Sequence, residues 1–191
     1  MDSAQEHITA YFKKVRSCLD EIAPADIRGI VDIIINAYQH NRCVFIMGNG
    51  GSAATASHFA RDLSIGTAVP GKRRLRAVSL TDNVVAITAL ANDLDYQAIF
   101  SEQLMGHLEK GDVVIGISAS GNSPNVLKGI EYARDQGAVT VGLVGFGGGK
   151  LKGMVQKALV LSSKEYGPVE DIHLMLDHII SSLVKERIAS G

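Results

Sequence analysis

The chain contains little cysteine, no tryptophan and almost no net charge. Two cysteines, Cys18 and Cys43, occur among 191 residues, too few and too far apart for a disulfide framework or a zinc finger. The formal net charge is −1, so we expect no overall electrostatic attraction to nucleic acid or to an anionic membrane surface. We therefore predict no nucleic-acid or membrane partner, and the free thiols are typical of a reducing, cytoplasmic environment.

The sequence also lacks a long apolar run and a basic N-terminal leader. No hydrophobic stretch approaches the length of about 20 residues that a membrane-spanning helix needs. Residues 1–7 are polar and acidic, without the basic region and apolar core of a signal peptide. These absences predict a soluble, cytoplasmic protein. A hydrophobic content of 46% is enough for the core of one domain over residues 1–191.

Hydrophobic periodicity changes once along the chain. Residues 3–19 and 26–40 have helical apolar spacing and predict an N-terminal helical hairpin within residues 1–41, with Asp26 as the cap of its second helix. Over residues 42–191, helices alternate with short apolar strands at residues 44–47, 77–80, 113–117, 140–144 and 158–161. This alternation predicts an α/β fold with a doubly wound, five-stranded parallel sheet, which a long C-terminal helix completes.

The strongest functional signal is the stretch from Ser118 to Pro124, where three serines follow a predicted strand and precede a helix. Backbone N–H groups at a helix N-terminus are unpaired and carry partial positive charge, and serine hydroxyls add hydrogen-bond donors without bulk. The stretch therefore favours a phosphate site at the carboxyl edge of the sheet, where such folds bind ligands. An ordinary helix N-cap is the alternative, because serine and proline are both common there.

Two glycine-rich runs do not match nucleotide motifs. The turn at residues 48–54 follows the first predicted strand, but alanine stands at position 53, where the dinucleotide fingerprint needs a third glycine. The run at residues 145–150 fails the P-loop pattern at both ends, with Val144 in place of its first glycine and Leu151 in place of its Ser or Thr. The first of these turns nevertheless carries a serine, Ser52, at the start of a predicted helix.

In their order, these motifs resemble the sugar isomerase (SIS) domain family and, within it, the phosphoheptose isomerases. The resemblance covers nearly the whole chain and rests on the segments 48–54, 58–60, 92–93, 111–113, 118–126 and 148–150, with His173 and His178 near the C-terminus. It implies a flavodoxin-like SIS fold and an enzyme that converts sedoheptulose 7-phosphate to D-glycero-D-manno-heptose 7-phosphate through an enediol. It also implies a homotetramer with its sites at subunit boundaries.

Residue by residue, the resemblance implies a set of substrate-binding positions. They are Asn49, Gly50, Gly51, Ser52, Asp82, Ser118, Ala119, Ser120 and Ser123. The serines among them match the phosphate-binding positions of the family, in agreement with the two turns. Asn49 and Asp82 match positions that contact substrate hydroxyls, although a turn residue and a helix cap, respectively, are the alternatives.

The metal and catalytic positions of the family match His58, Asp62, Glu170 and His178. Aspartate stands here in place of glutamate at position 62, and glutamate in place of glutamine at position 170. The resemblance implies a zinc ion at these four residues, Asp62 as the base that moves the carbon proton, and His178 as the group that transfers protons at the oxygens. Because Asp62 is shorter by one methylene, either the substrate sits differently or activity is reduced.

Glu170 and His178 are a difficult pair, since eight positions along a helix separate them by roughly 12 Å. Both can serve one site only if the helix begins after Glu170 or if a neighbouring subunit supplies one of them. His173 and Asp177 are interpreted as the structural, exposed flank of the apolar final helix. The apolar N-terminal hairpin is the expected assembly surface.

Two other functions remain open from the sequence. One is a non-catalytic SIS-domain protein that binds a partner or senses a sugar phosphate, similar to the bacterial replication-initiator-associating protein. The carboxylate at Asp62 and the imidazole at His178 argue against it. The other is an isomerase of another ketose phosphate, in which the altered acids at positions 62 and 170 accompany a different substrate length.

Overall fold

The alternating strands pair into one parallel sheet. The computed structural model describes residues 3–191. The strands are β1 (Cys43–Met47), β2 (Arg76–Ser79), β3 (Val113–Ser118), β4 (Val139–Val144) and β5 (Lys157–Val160). Their order in the sheet is β2-β1-β3-β4-β5. The predicted parallel sheet is confirmed, and each strand begins and ends within one residue of its predicted bounds. The first two residues of the predicted domain lie outside the described residues.

Helices cover both faces of this sheet, because strand side chains alternate between two apolar cores. The helices are α1 (Ser3–Asp20), α2 (Pro24–Gln39), α3 (Gly51–Arg61), α4 (Val84–Asp93), α5 (Ile99–Met105), α6 (Pro124–Asp135) and α7 (Tyr166–Ser190). Val44 and Ile46 pack in one core with α2, α3 and α7, whereas Phe45 and Met47 pack in the other with α5 and α6.

The C-terminal helix α7 organises one side of the molecule. It is 25 residues long and packs against α1, α2 and α3. Neither α7 nor any other helix within residues 3–191 combines the length and the apolarity that crossing a membrane requires. Because α3 and α7 lie side by side, residues that are more than 100 positions apart in the chain come into contact between them.

The predicted cap of α2 is wrong. The helix begins two residues before Asp26, at Pro24, and Ala23 occupies the N-cap position without a side-chain hydrogen bond. Proline is favourable at the first helical position, since its missing N–H group would be unpaired there in any case. The Asp26 carboxylate instead accepts a hydrogen bond from Lys157 Nζ at 2.8 Å, which joins α2 to β5.

The turns after β1 and β3 position the candidate site. The two strands are parallel neighbours, so both turns lie at the carboxyl edge of the sheet, where they lead into the N-termini of α3 and α6. Gly121 in the second turn has φ +62°, and a side chain there would collide with the carbonyl oxygen of Gly148. Glycine therefore lets the turn after β3 close against the loop after β4.

Candidate active site

A cavity of about 300 Å³ opens at this edge of the sheet, and we call it the serine pocket. Its lining residues are Asn49, Gly50, Ser52, Ile117, Ser118, Ala119, Ser120, Ser123, Tyr166 and Glu170. Seven of the nine predicted substrate-binding positions are in this set, the exceptions being Gly51 and Asp82. The two serine-bearing turns, which are more than 60 residues apart in the chain, therefore line one cavity.

Hydrogen bonds within the loop hold the hydroxyls of the serine pocket. Ser118 Oγ lies 3.0 Å from Ser123 Oγ and accepts a hydrogen bond from the Gly121 N–H at 3.1 Å. Ser120 Oγ accepts one from the Asn122 N–H at 3.2 Å. Ser123 occupies the N-cap position of α6, but its hydroxyl makes no capping bond. Capping of α6 therefore does not account for the three serines, and their hydroxyls can serve an anion at the start of the helix.

Asn49 is fixed by partners that sequence reasoning missed. Its side-chain amide exchanges two hydrogen bonds of 2.8 Å with the amide of Asn125, and the Tyr96 hydroxyl donates a third bond to its Oδ1 at 3.0 Å. One N–H of the Asn49 amide remains for a ligand. Asn125 is buried at the start of α6, and only its contact with Asn49 in the structure distinguishes it from an ordinary helix residue.

Glu170 lies in the serine pocket of its own chain. Because α7 begins at Tyr166, Glu170 is inside the helix, and the idea that the helix starts after it is wrong. Its carboxylate packs against Gly51 at the start of α3, where a larger residue would collide with it. Within one chain, the structure therefore separates Glu170 from the other three predicted metal ligands.

Asp82 is exposed in the turn after β2 and does not line the serine pocket. It is not the cap of α4. That role belongs to Asn83, whose Oδ1 accepts a hydrogen bond from the Ala86 N–H at 3.0 Å. The helix-cap interpretation of Asp82 is therefore wrong, and contact with a substrate hydroxyl stays a prediction.

Four side chains converge between α3 and α7, and we call them the His/Asp cluster. They are His58, Asp62, Asp177 and His178, and one donor atom from each lies within 4.8 Å of the others. His58 Nε2 is 3.4 Å from Asp62 Oδ2, 3.3 Å from His178 Nε2 and 4.0 Å from Asp177 Oδ2. Asp62 begins a single π-helical turn, Asp62–Gly66, that ends α3. The structure thus brings three predicted metal ligands together in one chain and adds Asp177.

The cluster has a buried side and an open side. Asp62 and Asp177 are buried, whereas His58 and His178 are exposed. Asp62 Oδ1 is also held by Arg61 at 2.6 Å. A cavity of about 280 Å³ next to the cluster is lined by Arg61, Asp62, Gly66, His178, Ser181, Ser182 and Lys185. A ligand can therefore reach the imidazoles from solvent while the carboxylates lie beneath them.

The predicted exposed flank of α7 is wrong, since His173 and Asp177 are both 0% exposed. α7 packs against α1, α2 and α3 as well as the core over the sheet, so polar positions beside its apolar stripe are enclosed too. Burial lowers the pKa of His173 to about 4, and an interaction with the Val144 backbone offsets only part of this shift. Burial, with the charge of Asp62, raises the pKa of Asp177 to about 7, while His58 acts in the opposite direction.

Known proteins resemble the chain over most of its length. Residues 10–145 match the SIS domain family. A phosphoheptose isomerase of Geobacter sp. is 35% identical over 188 residues, which cover 98% of this chain and 97% of that protein. A phosphoheptose isomerase of Nitratiruptor sp. is 40% identical over 154 residues, 81% of this chain and 82% of that protein. The solved structure of phosphoheptose isomerase GmhA from Neisseria gonorrhoeae aligns with a TM-score of 0.89 and 28% identity, over 96% of this chain and 100% of that chain.

Proposed function

This chain belongs to the SIS domain family and, within it, to the phosphoheptose isomerases, which are aldose–ketose isomerases; we propose that it interconverts sedoheptulose 7-phosphate and D-glycero-D-manno-heptose 7-phosphate through an enediol. The observation that carries this proposal is the spacing of two sites along the same pair of helices. Ser52 and His58 are six positions apart on α3, and Glu170 and His178 are eight apart on α7, or about 9 and 12 Å. A sugar phosphate that is seven carbons long suits such a span, with its phosphate at one end and its reacting carbons at the other.

The serine pocket would bind the phosphate. Ser52, Ser118, Ser120 and Ser123 supply hydroxyls, and the N-termini of α3 and α6 supply a favourable field for an anion. The remaining N–H of Asn49 and the carboxylate of Asp82 would bind sugar hydroxyls. Asn125 and Tyr96 act as positioning residues, because they fix the direction of the Asn49 amide.

Isomerisation moves one proton between adjacent carbons and another between their oxygens, so it needs two proton-transfer groups. We assign the carbon proton to Asp62, whose Oδ2 faces the cluster, and the oxygen protons to His178, which borders the open cavity. A phosphate held at the far end of the sugar would orient the reacting carbons and reduce the entropic part of the barrier.

The His/Asp cluster fits a divalent cation, in the first place zinc. Imidazole nitrogens and carboxylate oxygens are ligands that zinc prefers, and the buried Asp177 carboxylate has no hydrogen-bond partner within residues 3–191. We propose that His58, Asp62 and His178 hold the ion, which when bound would polarise the substrate carbonyl and stabilise negative charge on the substrate oxygens. Glu170 could join these ligands only from a neighbouring subunit, since its own chain places it in the serine pocket.

An exposed apolar stripe on α1 supports assembly into a homotetramer. Ile8, Phe12 and Leu19 share one face of the helix and are 46%, 57% and 37% exposed. Apolar residues at such spacing on a solvent-facing helix are typical of a protein–protein interface. Two free, buried cysteines are consistent with the reducing cytoplasm that we propose as its location.

An isomerase assay on sedoheptulose 7-phosphate tests the proposal. The chelator-treated protein would be assayed with and without added zinc, beside fructose 6-phosphate and ribulose 5-phosphate as shorter ketose phosphates. We expect turnover of the heptulose phosphate in preference to the other two. Faster turnover of a shorter sugar would identify a different ketose phosphate as substrate. Binding of all three without turnover would identify a non-catalytic SIS-domain protein.

A further inference from the structure

We propose that Asp177, and not Glu170, is the carboxylate that completes the cation site, so that one chain holds the ion without a ligand from a neighbouring subunit. This inference rests on the proposed function only in assuming that the His/Asp cluster binds a divalent cation. It concerns which residue supplies the fourth ligand of the ion, a role that the resemblance gives to Glu170.

Distances within the cluster support this assignment. A tetrahedral zinc ion with bonds of 2.0–2.1 Å has ligand atoms about 3.3 Å apart. The distances from His58 Nε2 to His178 Nε2 and to Asp62 Oδ2, 3.3 and 3.4 Å, already match this value. Asp177 Oδ2 is 4.0 Å from the same nitrogen, and its donor atom lies within 4.8 Å of those of the other three residues. The Asp177 carboxylate therefore lies within reach of the point that the other donor atoms surround.

The burial of Asp177 also supports its assignment as a ligand of the cation. The residue is 0% exposed, and neither carboxylate oxygen has a hydrogen-bond partner among residues 3–191. A buried carboxylate without a partner is expensive, and binding a cation is one of the few ways to compensate it. Asp62 differs in this respect, because Arg61 already holds its Oδ1. Of the two carboxylates, Asp177 thus has the greater need of a positive partner.

Neighbouring positions on α7 can both reach the ion because they approach it from different sides. Asp177 and His178 project about 100° apart around the helix axis, the first into the buried layer and the second towards the open cavity. His58 on α3 lies near both, at 4.0 and 3.3 Å. The buried carboxylate would therefore anchor the ion from below while the exposed imidazoles leave its other side open to substrate.

Glu170 cannot take this place within its own chain. It lies eight positions before His178 on the continuous helix α7, about 12 Å away along the axis. Its carboxylate packs on Gly51 and borders the serine pocket.

Zinc titration of matched variants tests the inference. The full chain would be stripped with a chelator and titrated with zinc in a calorimeter, and the zinc retained after gel filtration would be counted per chain. Asp177→Asn replaces a carboxylate by an amide of the same shape, and Glu170→Ala removes the side chain that could reach the ion from a neighbouring subunit. We expect Asp177→Asn to weaken zinc binding by at least about tenfold and Glu170→Ala to change it by less than about twofold. The reverse pattern, or no loss in either variant, would overturn the proposal.

A third variant keeps the test valid if Asp177→Asn folds poorly. Asp177→Glu retains the carboxylate, so we expect it to bind zinc more tightly than Asp177→Asn does. Thermal unfolding in the absence of metal provides the folding control, and the zinc-induced rise in melting temperature should be smaller in Asp177→Asn than in the unmodified protein. Equal zinc affinity in the Asn and Glu variants would show that the carboxylate is not a ligand.

The sugar phosphate assay separates this inference from the proposed function. Zinc binding that depends on Asp177, without turnover of any ketose phosphate, would leave the ligand assignment standing and contradict the proposed function. Turnover of sedoheptulose 7-phosphate by a protein that binds no zinc would support the proposed function and contradict the ligand assignment.

Discussion

The serine pocket and the His/Asp cluster are built in opposite ways. Ser118, Ser120 and Ser123 lie within six consecutive residues, and neutral hydrogen bonds in the loop already orient their hydroxyls. In the cluster, His58 and His178 are 120 positions apart in the chain, and two buried carboxylates lie beside them. The pocket is thus organised before a ligand arrives, whereas the cluster concentrates negative charge that a cation would balance. We therefore expect changes in the pocket to affect substrate binding and changes in the cluster to affect chemistry.

The largest effect is expected from Asp62→Asn. The amide cannot accept the carbon proton, so kcat should fall by about 10³-fold, within the range typical of a lost general base. The KM for sedoheptulose 7-phosphate should change by less than about threefold, because we propose that the phosphate binds in the serine pocket, away from Asp62. Steady-state kinetics of the purified variant measures both constants.

Asp135→Asn provides the control for Asp62→Asn. Asp135 is an exposed carboxylate at the end of α6, and within residues 3–191 it pairs only with the neighbouring Arg134. Its loss should leave kcat unchanged. If the Asp62 variant had a raised KM and an unchanged kcat, the hypothesis that the pocket serves binding and the cluster serves chemistry would be wrong.

A second prediction concerns two buried ionisable groups on α7, His173 and Asp177, in the metal-free protein. The pKa of His173 falls from 6.5 to about 4 on folding, so the unfolded chain binds more protons there, and this residue makes stability rise with pH between those values. The pKa of Asp177 rises from 3.8 to about 7, so the folded chain binds more protons there, and this residue makes stability fall with pH over nearly the same window.

Because the two residues change stability with pH in opposite directions, removing one of them should expose the pH dependence that the other contributes. Asp177→Asn should become more stable as the pH rises from 4.5 to 6.5, and His173→Leu should become less stable, each by on the order of 3 kcal/mol at most. In the unmodified protein, the change in the free energy of unfolding over this pH range should lie between those of the two variants. Urea unfolding with a chelator present measures these free energies, and parallel pH profiles in all three proteins would show that neither group governs this range.

The two sites also differ in how far the sequence predicted them. The serine-bearing turns could be recognised because hydroxyls, glycines and a helix start are local features. Asp177 could not, because its burial depends on α1, α2 and α3 packing around α7, so a charged position beside an apolar stripe is not on an exposed flank. Glu170 shows the same limit. Its distance from His178 along a helix follows from the sequence, but its place in the serine pocket depends on the packing of α7 against the start of α3.

The fold was predictable to within a residue at the strand ends because buried parallel strands are short apolar runs between turn signals. Cap assignments were less reliable. Asp26 and Asp82 both suit a cap chemically, but the helices begin at Pro24 and Val84, and the first carboxylate pairs with Lys157 instead. Such choices depend on tertiary partners that a single sequence does not show.

A third, smaller effect is expected in the serine pocket. Ser123→Ala removes a hydroxyl that makes no capping bond, so the helix should tolerate the change. A hydrogen bond to a charged phosphate contributes roughly 1.5–3 kcal/mol, so we expect the KM to rise by about tenfold or more with little change in kcat. Zinc affinity should stay unchanged. Ser190→Ala, at the exposed end of α7, is the matched control, and an equal rise in KM there would exclude a specific phosphate contact.

The smallest effect on either site is expected when the assembly is disrupted. Phe12→Glu places a charge in the exposed apolar stripe of α1 and should shift the protein to a smaller oligomer, measured by gel filtration with light scattering. Lys13→Glu, at an exposed neighbouring position, is the control for charge alone. If Asp177 completes the cation site within one chain, the smaller oligomer should bind zinc within about twofold of the unmodified protein. A large loss of zinc on dissociation would instead favour a ligand from the neighbouring subunit, with Glu170 the residue to test next.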